Sequence, residues 1–179
     1  FLCGLLNSQP MGFYSPSMLV QDARRHGVTV LPPDVTVSDW DSLIDDNGAV
    51  RLGLREISGF SKAVAERITV NRKNSRILNI ADLASRAGLL RRDLDQLAAA
   101  DALQSLAGHR RQAAWAASVQ KAPAVIQGDL FDSTMICEPE IELPAPSEGE
   151  NLVADYRSLG LTLRRHPLAL LRQHLAERR

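Results

Sequence analysis

The chain has 179 residues, 45% of them hydrophobic, and its 21 basic side chains balance its 21 acidic ones. This composition excludes disorder over the whole length and allows one ordinary core or two small ones. There is no run of about 18 apolar residues and no charged-then-apolar leader, so we expect a soluble intracellular protein without a membrane span. Cys3 and Cys137 lack the spacing of a disulfide or metal framework, and we expect no metal site.

Charge is unevenly distributed along the chain. Residues 50–125 hold 13 Lys or Arg against 6 Asp or Glu, a net charge of +7, whereas residues 126–150 hold seven acids and no Lys or Arg. A basic module followed by an acidic tether favours a protein that binds a polyanion with the first part and keeps the second away from it. Solvated helix faces beside an acidic linker are the alternative.

The first third of the chain is predicted to contain a helix and a small β-hairpin. Ser15 and Pro16 are typical of a helix start, and we expect a helix over about residues 16–26. VTVLPP is predicted to be extended, because its β-branched residues precede a Pro pair that cannot continue a ladder. Asn47-Gly48 lies between two short alternating runs and predicts a hairpin turn.

A series of short helices follows. Asn79 and Gly88 mark the start and end of one helix, Ser147 with Glu150 has the spacing of a capping box, and Pro167 opens a final helix. Between these blocks, residues 122–147 are predicted to be a linker. The helical period is carried by Leu54, Ile57, Val64, Ile68, Ile80, Leu83, Leu89, Leu94, Leu97 and Leu103.

The stretch LREISGFSKAVAERI, residues 54–68, resembles a helix-hairpin-helix motif, in which turn amides at a helix start point at a DNA phosphate. Free N–H groups and the positive end of the helix favour an anion, and close approach requires residues without bulk. Gly59 and Phe60 match the motif's Gly-apolar-Gly turn. Ser61 replaces the second Gly and offers its hydroxyl instead. We expect Ala63, Val64 and Ile68 to pack inward.

The turn and the cations after it are the predicted DNA-binding residues. No side chain among them is placed to read bases, so we expect sequence-independent, salt-sensitive binding. The predicted contacts are Ser58, Gly59, Phe60, Ser61, Lys62, Arg67, Arg72, Lys73 and Arg76.

A second hairpin is predicted over residues 94–112 and is degenerate. Its turn, residues 99–102, lacks glycine, and the carboxylate of Asp101 would repel phosphate, so we expect mainly a packing role. Arg110 and Arg111, with His109, are the predicted outer phosphate contacts, although for His109 alone a helix-capping or solvated role is favoured. The alternative for both hairpins is an ordinary helical pair that makes no contact with DNA.

Five segments, in this order, resemble the bacterial C-family DNA polymerases, the DNA polymerase III alpha subunit family, and most closely its error-prone, damage-inducible branch. They are LLNSQPMGFYSPSMLVQDARRHGVTVLPPDV, VRLGLREISGF, LAGHRR, QGDLF and LRRHPLALLR. The resemblance implies a mainly α fold with one good and one degenerate helix-hairpin-helix, a small β-hairpin and an acidic linker. It also implies a division into the end of the fingers region (residues 1–47), a helix-hairpin-helix DNA-binding domain (48–121), a linker (122–147) and a helical connector toward an absent OB-fold domain (148–179).

The resemblance also limits the expected chemistry. In that family the aspartates that hold Mg²⁺ for nucleotidyl transfer lie in the palm, before this region, so we expect an inactive excised piece with no catalytic residue and no cofactor. Asp39, Asp41, Asp45 and Asp46 occupy strand and turn positions, where acids commonly cap or solvate. The expected setting is the bacterial cytoplasm, with duplex or primer-template DNA as the partner.

QGDLF places two large apolar residues side by side in the acidic segment. In replicative members of the family a similar peptide docks into the sliding clamp, which implies that Gln127 bonds at the pocket rim while Leu130 and Phe131 fill an apolar cleft. The alternatives are self-docking of Leu130 and Phe131, and clamp access through accessory mutagenesis proteins. For the whole chain, the alternative function is a protein-interaction module with purely structural hairpins. An independent nuclease or glycosylase is less favoured, because no catalytic Lys or Asp constellation accompanies the hairpin.

Overall fold

The computed structural model describes residues 1–119 and 141–176, and for residues 173 and 174 it describes the backbone only. The peptide QGDLF, residues 127–131, and Cys137 lie outside these ranges. The chain begins with two helices, α1 (Leu2–Asn7) and α2 (Pro16–Arg25). The Ser15 hydroxyl accepts the Met18 N–H at 3.3 Å, so the predicted start of α2 is confirmed.

A small three-stranded sheet follows α2. The predicted hairpin is confirmed, and its turn is closed by Asp45, whose Oδ1 accepts the N–H of Asn47 at 3.0 Å and of Ala49 at 2.8 Å. The extended VTVLPP segment adds a parallel strand, with Val30 opposite Val50, a pairing that we did not predict from the sequence. In the order β1-β3-β2, the strands are β1 (Val30–Leu31), β2 (Leu43–Ile44) and β3 (Val50–Arg51).

Short helices form the central block, as the 3.6-residue period predicted. The Asn79 side chain accepts the Asp82 N–H at 2.8 Å, and Gly88 ends the same helix in the left-handed region at φ 58°, which confirms both predicted boundaries. The elements are a turn of 3-10 helix (Leu54–Glu56), α3 (Lys62–Asn74), α4 (Ile80–Ala87), α5 (Arg91–Ala99), α6 (Gln104–Ala107) and α7 (Arg110–Val119).

Two hydrophobic clusters support these elements. The larger lies among α3 to α7, and the smaller joins α1, α2, the sheet and Leu161. The inward face of α3 consists of Val64, Ala65 and Ile68, whereas Ala63 is exposed, so the prediction that Ala63 packs inward is wrong. Residues 64, 65 and 68 share one helical face, and Ala63 lies in the first turn on the solvent side.

Two helices lie in the second described range, α8 (Glu148–Leu159) and α9 (Pro167–Ala176). The capping box at Ser147 is confirmed, because its hydroxyl accepts the Glu150 N–H while the Glu150 carboxylate accepts the Ser147 N–H. Gly160 ends α8 at φ 69°. The helix α8 packs against α5, and its residue Ser158 contacts the backbone of Ser58. None of the helices in the described ranges has the length and apolar character needed to cross a membrane.

Candidate nucleic-acid interface

A tight turn joins the Leu54–Glu56 turn of 3-10 helix to α3. Gly59 adopts φ +69°, and a Cβ there would lie 3.3 Å from Nε2 of Gln96 on α5. Both the backbone conformation and the neighbouring helix therefore favour glycine at this position. Ser58, Gly59 and Ser61 are exposed, so the turn lies on the surface.

The turn presents unpaired backbone donors. The N–H of Phe60 donates to Ile57 O at 3.1 Å, but the N–H groups of Gly59, Ser61 and Lys62 meet no protein acceptor within the described part of the chain. The Ser61 hydroxyl makes no capping bond either. These donors lie at the positive end of a 13-residue helix, which is the arrangement that binds an anionic oxygen.

Three of the predicted cations are exposed and available for phosphate. Lys62 is 63% exposed and lies 3.9 Å from Glu66, a distance that holds it only loosely. Lys73 and Arg76 are exposed at the far end of α3 and just beyond it. Arg67 is also exposed, but its guanidinium donates to Ala87 O at 2.7 Å and so supports the end of α4.

Three predicted contacts are corrected by burial. The Phe60 side chain is 7% exposed and belongs to the larger core cluster. The Arg72 side chain is 16% exposed and ion-paired with Asp39, and Arg110 is 9% exposed and ion-paired with Asp155. A phosphate would have to displace these internal partners, so none of the three side chains is a surface contact in this structure.

The second hairpin contains a turn that sequence reasoning missed. Helices do flank residues 100–103, but the turn that matches Ser58–Ser61 lies further on, at Gly108, where φ is +78°. The detectable signal was a repeated spacing, Leu-x-x-apolar-x-Gly followed by a helix. The equivalent pairs are Leu54 and Leu103, Ile57 and Leu106, Gly59 and Gly108, and Ile68 and Ala117.

The second turn is occupied by the chain's own return segment, which we define as residues 141–151. His109 Nε2 lies 2.9 Å from Leu143 O, and Arg111 donates to Pro144 O at 3.0 Å and to the Glu150 carboxylate at 3.2 Å. Oxygen acceptors of the protein thus bind two of the side chains that were predicted as phosphate contacts here. In this structure Arg111, like Arg110, is committed to an internal partner.

Acidic side chains around the second hairpin have structural partners. Asp101, expected to repel phosphate, pairs with Arg164 at 3.0 Å; burial raises the pKa of its carboxyl, although Arg110 and Arg164 act against this. The Ser147 N–H lowers the pKa of the Glu150 carboxyl by donating to it. Among the residues described, no three His, Cys, Asp or Glu side chains are grouped so that they could hold a metal ion.

Comparison with known proteins finds a family match for the hairpins and similar proteins for the whole chain. Residues 27–113 match the family described as helix-hairpin-helix motif. Over its full length the chain is 79% identical to the error-prone DNA polymerase of Dechloromonas aromatica (strain RCB) and 57% identical to that of Azoarcus sp. (strain BH72), and it covers 17% of each. It is 46% identical, over 99% of its length, to the error-prone DNA polymerase of Methylococcus capsulatus (strain ATCC 33009 / NCIMB 11132 / Bath), of which it covers 19%. The chain therefore spans less than a fifth of the curated relatives it matches, and over essentially its whole length it is similar to part of proteins named error-prone DNA polymerase.

Proposed function

We propose that this chain is the part of a DNA polymerase that holds duplex DNA by its backbone, without reading its sequence. The observation that carries the proposal is the exposed turn at Gly59, whose unpaired N–H groups open α3 beside Lys62. Phosphate oxygens accept from such donors whatever the base sequence. Lys73, in the last turn of the same helix, and Arg76, just beyond it, are the proposed additional phosphate contacts.

The turn at Gly59 supports this function better than the second turn does. The second turn also has a glycine at positive φ, but Arg111 and His109 face the return segment. We therefore assign the phosphate contact to the first hairpin and a protein-docking role to the second. The whole protein, by analogy with relatives named error-prone DNA polymerases, would synthesise DNA on damaged templates, with its catalytic centre outside this chain.

The test is a titration of duplex DNA at several salt concentrations. We expect the double variant Gly59→Ala, Lys62→Ala to lose at least about tenfold in affinity, and the slope of log K against log salt to fall by about 0.9 for the lost cation. The matched control is Gly27→Ala, Arg24→Ala, which changes a left-handed glycine and an exposed cation at the end of α2. If both double variants bind like the wild type, the hairpins are structural and a protein-interaction module is the better interpretation.

The QGDLF peptide carries a second proposed function, attachment to the sliding clamp. Support comes from the sequence alone: Leu130 and Phe131 are adjacent apolar residues in a segment with acids and no Lys or Arg. We expect binding to a bacterial sliding clamp to be lost when Gln127, Leu130 and Phe131 are changed to alanine together. The same change at Thr134, Met135 and Ile136 is the control within the linker. Equal signals from all three proteins would show that clamp access comes from elsewhere.

A further inference from the structure

The helix after the linker reaches back to the phosphate-binding turn. The N–H of Ser58 donates to the carbonyl oxygen of Ser158, near the end of α8, at 2.8 Å. The carbonyl oxygen of Ser58 accepts from Gln96 Nε2 of α5 at 3.3 Å. The N–H and the C=O of Ser58, the residue before Gly59, are thus both hydrogen-bonded to residues outside the first hairpin. Because α8 lies beyond the segment that matches the helix-hairpin-helix family, one of these supports is not part of the motif.

The helix α8 is fixed by the second hairpin through a buried ion pair. Arg110 donates to Asp155 at 2.5 Å, and the two side chains are only 10% and 9% exposed. The other terminal nitrogen of Arg110 donates to both the carbonyl oxygen and the Oδ1 of Asn151, at 3.0 and 2.9 Å. Arg110 occupies the position that Ser61 has in the first hairpin. The residue after the second turn therefore binds α8, whereas Ser61, at the same position after the first turn, makes no capping bond.

A second arm of the same network secures the end of α8. The other carboxylate oxygen of Asp155 accepts from the Thr162 hydroxyl at 2.8 Å and from Arg164 at 3.3 Å. Arg164 also donates to the carboxylate of Asp101, which precedes α6. Asp155 is thereby connected to Arg110 at the start of α7 and, through Arg164, to Asp101 before α6. Ser158 lies one helical turn after Asp155, so its position follows from that of Asp155.

We propose that Arg110 and Asp155 are positioning residues for the phosphate-binding turn: the second hairpin docks α8, and α8 holds Ser58 through its last turn. The two hairpins thus have different roles, since the first binds phosphate and the second binds α8. The positioning of Ser58 is independent of the ligand, and its consequence for DNA rests on the function proposed above.

The test uses Asp155→Asn in the full chain, with two readouts. The first is hydrogen exchange of the Ser58 amide, which we expect to accelerate by about tenfold or more because its acceptor on α8 moves. The second is duplex DNA affinity, which we expect to fall by about threefold to tenfold. The substitution removes a negative charge, so a purely electrostatic effect would raise the affinity for a polyanion. A fall therefore has the sign that positioning predicts and charge does not.

Glu148→Gln is the matched control, because it removes one negative charge from α8 and leaves Arg110 untouched. We expect Ser58 exchange to be unchanged in the control. Unchanged exchange in Asp155→Asn overturns the proposal. Accelerated exchange with unchanged DNA affinity supports the positioning of Ser58 and contradicts the DNA-binding role of the turn. If Asp155→Asn lacks a cooperative thermal transition, Arg164→Ala, which removes only the Arg164 bonds to Asp155 and Asp101, is measured in its place and must still accelerate Ser58 exchange.

Discussion

Arg72 and Asp39 form an ion pair with 2.5 Å between Nη2 and Oδ1. The other terminal nitrogen of Arg72 donates to Val35 O at 3.0 Å and to Ser38 O at 2.8 Å. The side chain thereby ties α3 to the loop that leads into the sheet, and every partner is a protein oxygen. Arg72 lies in the basic stretch predicted to contact phosphate, but its role in this structure is to join two parts of the fold.

Arg72→Ala is expected to lower the free energy of unfolding by about 2–4 kcal/mol, because it leaves the Val35 and Ser38 carbonyl oxygens without their donor and the Asp39 carboxylate without its cation. Denaturation with urea measures the loss. The adjacent Lys73 is exposed, so Lys73→Ala provides the control and should change stability by less than about 0.5 kcal/mol. A similar stability for both variants would contradict the bridging role of Arg72.

Lys73→Ala is expected to act on DNA binding instead. If Lys73 contacts a phosphate, its loss should reduce the slope of log K against log salt by about 0.9, and the effect should be similar for duplexes of unrelated sequence. Fluorescence titrations at several salt concentrations measure this slope. A slope equal to that of the wild type would remove Lys73 from the proposed interface while leaving the Gly59 turn in place.

Gly53→Ala is expected to be among the most disruptive single substitutions in the chain. The added Cβ would overlap the carbonyl oxygen of Trp40 and lie 2.5 Å from Asp41 C and 2.7 Å from Ser42 N, all of them backbone atoms. We expect a loss of about 3 kcal/mol or more in unfolding free energy. Gly4→Ala, in α1 with open space around it, should instead raise stability by about 0.5–1 kcal/mol. Thermal melts of the two variants should therefore shift in opposite directions.

Glu56→Gln is expected to change the pH dependence of stability. Burial raises the pKa of the Glu56 carboxyl above its ordinary value of 4.5, with Arg55 acting in the opposite direction. The folded state thus binds this proton more tightly than the unfolded state, so wild-type stability falls as the pH rises from 4.5 through the raised pKa. The variant lacks this group, and its advantage over the wild type should grow across that window and then level off. Unfolding free energies measured from about pH 4 to pH 8 test this, and parallel curves would contradict it.

Local signals in the sequence were sufficient to locate several of the helix boundaries. Ser15, Asn79 and Ser147 each accept the backbone N–H three residues later, and Gly88 ends its helix in the left-handed region. Such caps depend only on neighbouring residues, so a single sequence contains the information. The same holds for the Gly59 turn, because a glycine between two apolar helical segments is visible in the sequence.

Long-range pairings were not predictable in the same way. The parallel pairing of Val30 with Val50 and the burial of Arg110 against Asp155 join segments far apart in the chain. No local pattern distinguishes Arg72, which binds Asp39, from Lys73, which faces solvent. The predicted interface therefore included cations of both kinds, and only the structure separates those that hold the fold from those that remain free.

The side-chain amide of Gln112 makes two hydrogen bonds to the backbone of the return segment, one as donor and one as acceptor, as a neighbouring β-strand would. Its Nε2 donates to Ile141 O at 2.9 Å, and its Oε1 accepts the Leu143 N–H at 3.0 Å. Helix α7 ends at Val119, and the return segment is hydrogen-bonded to Gln112 of the same helix. The two described ranges of the chain are therefore joined at α7. A protease cut between residues 119 and 141 would therefore produce two polypeptides that stay together under native conditions and separate only in denaturant.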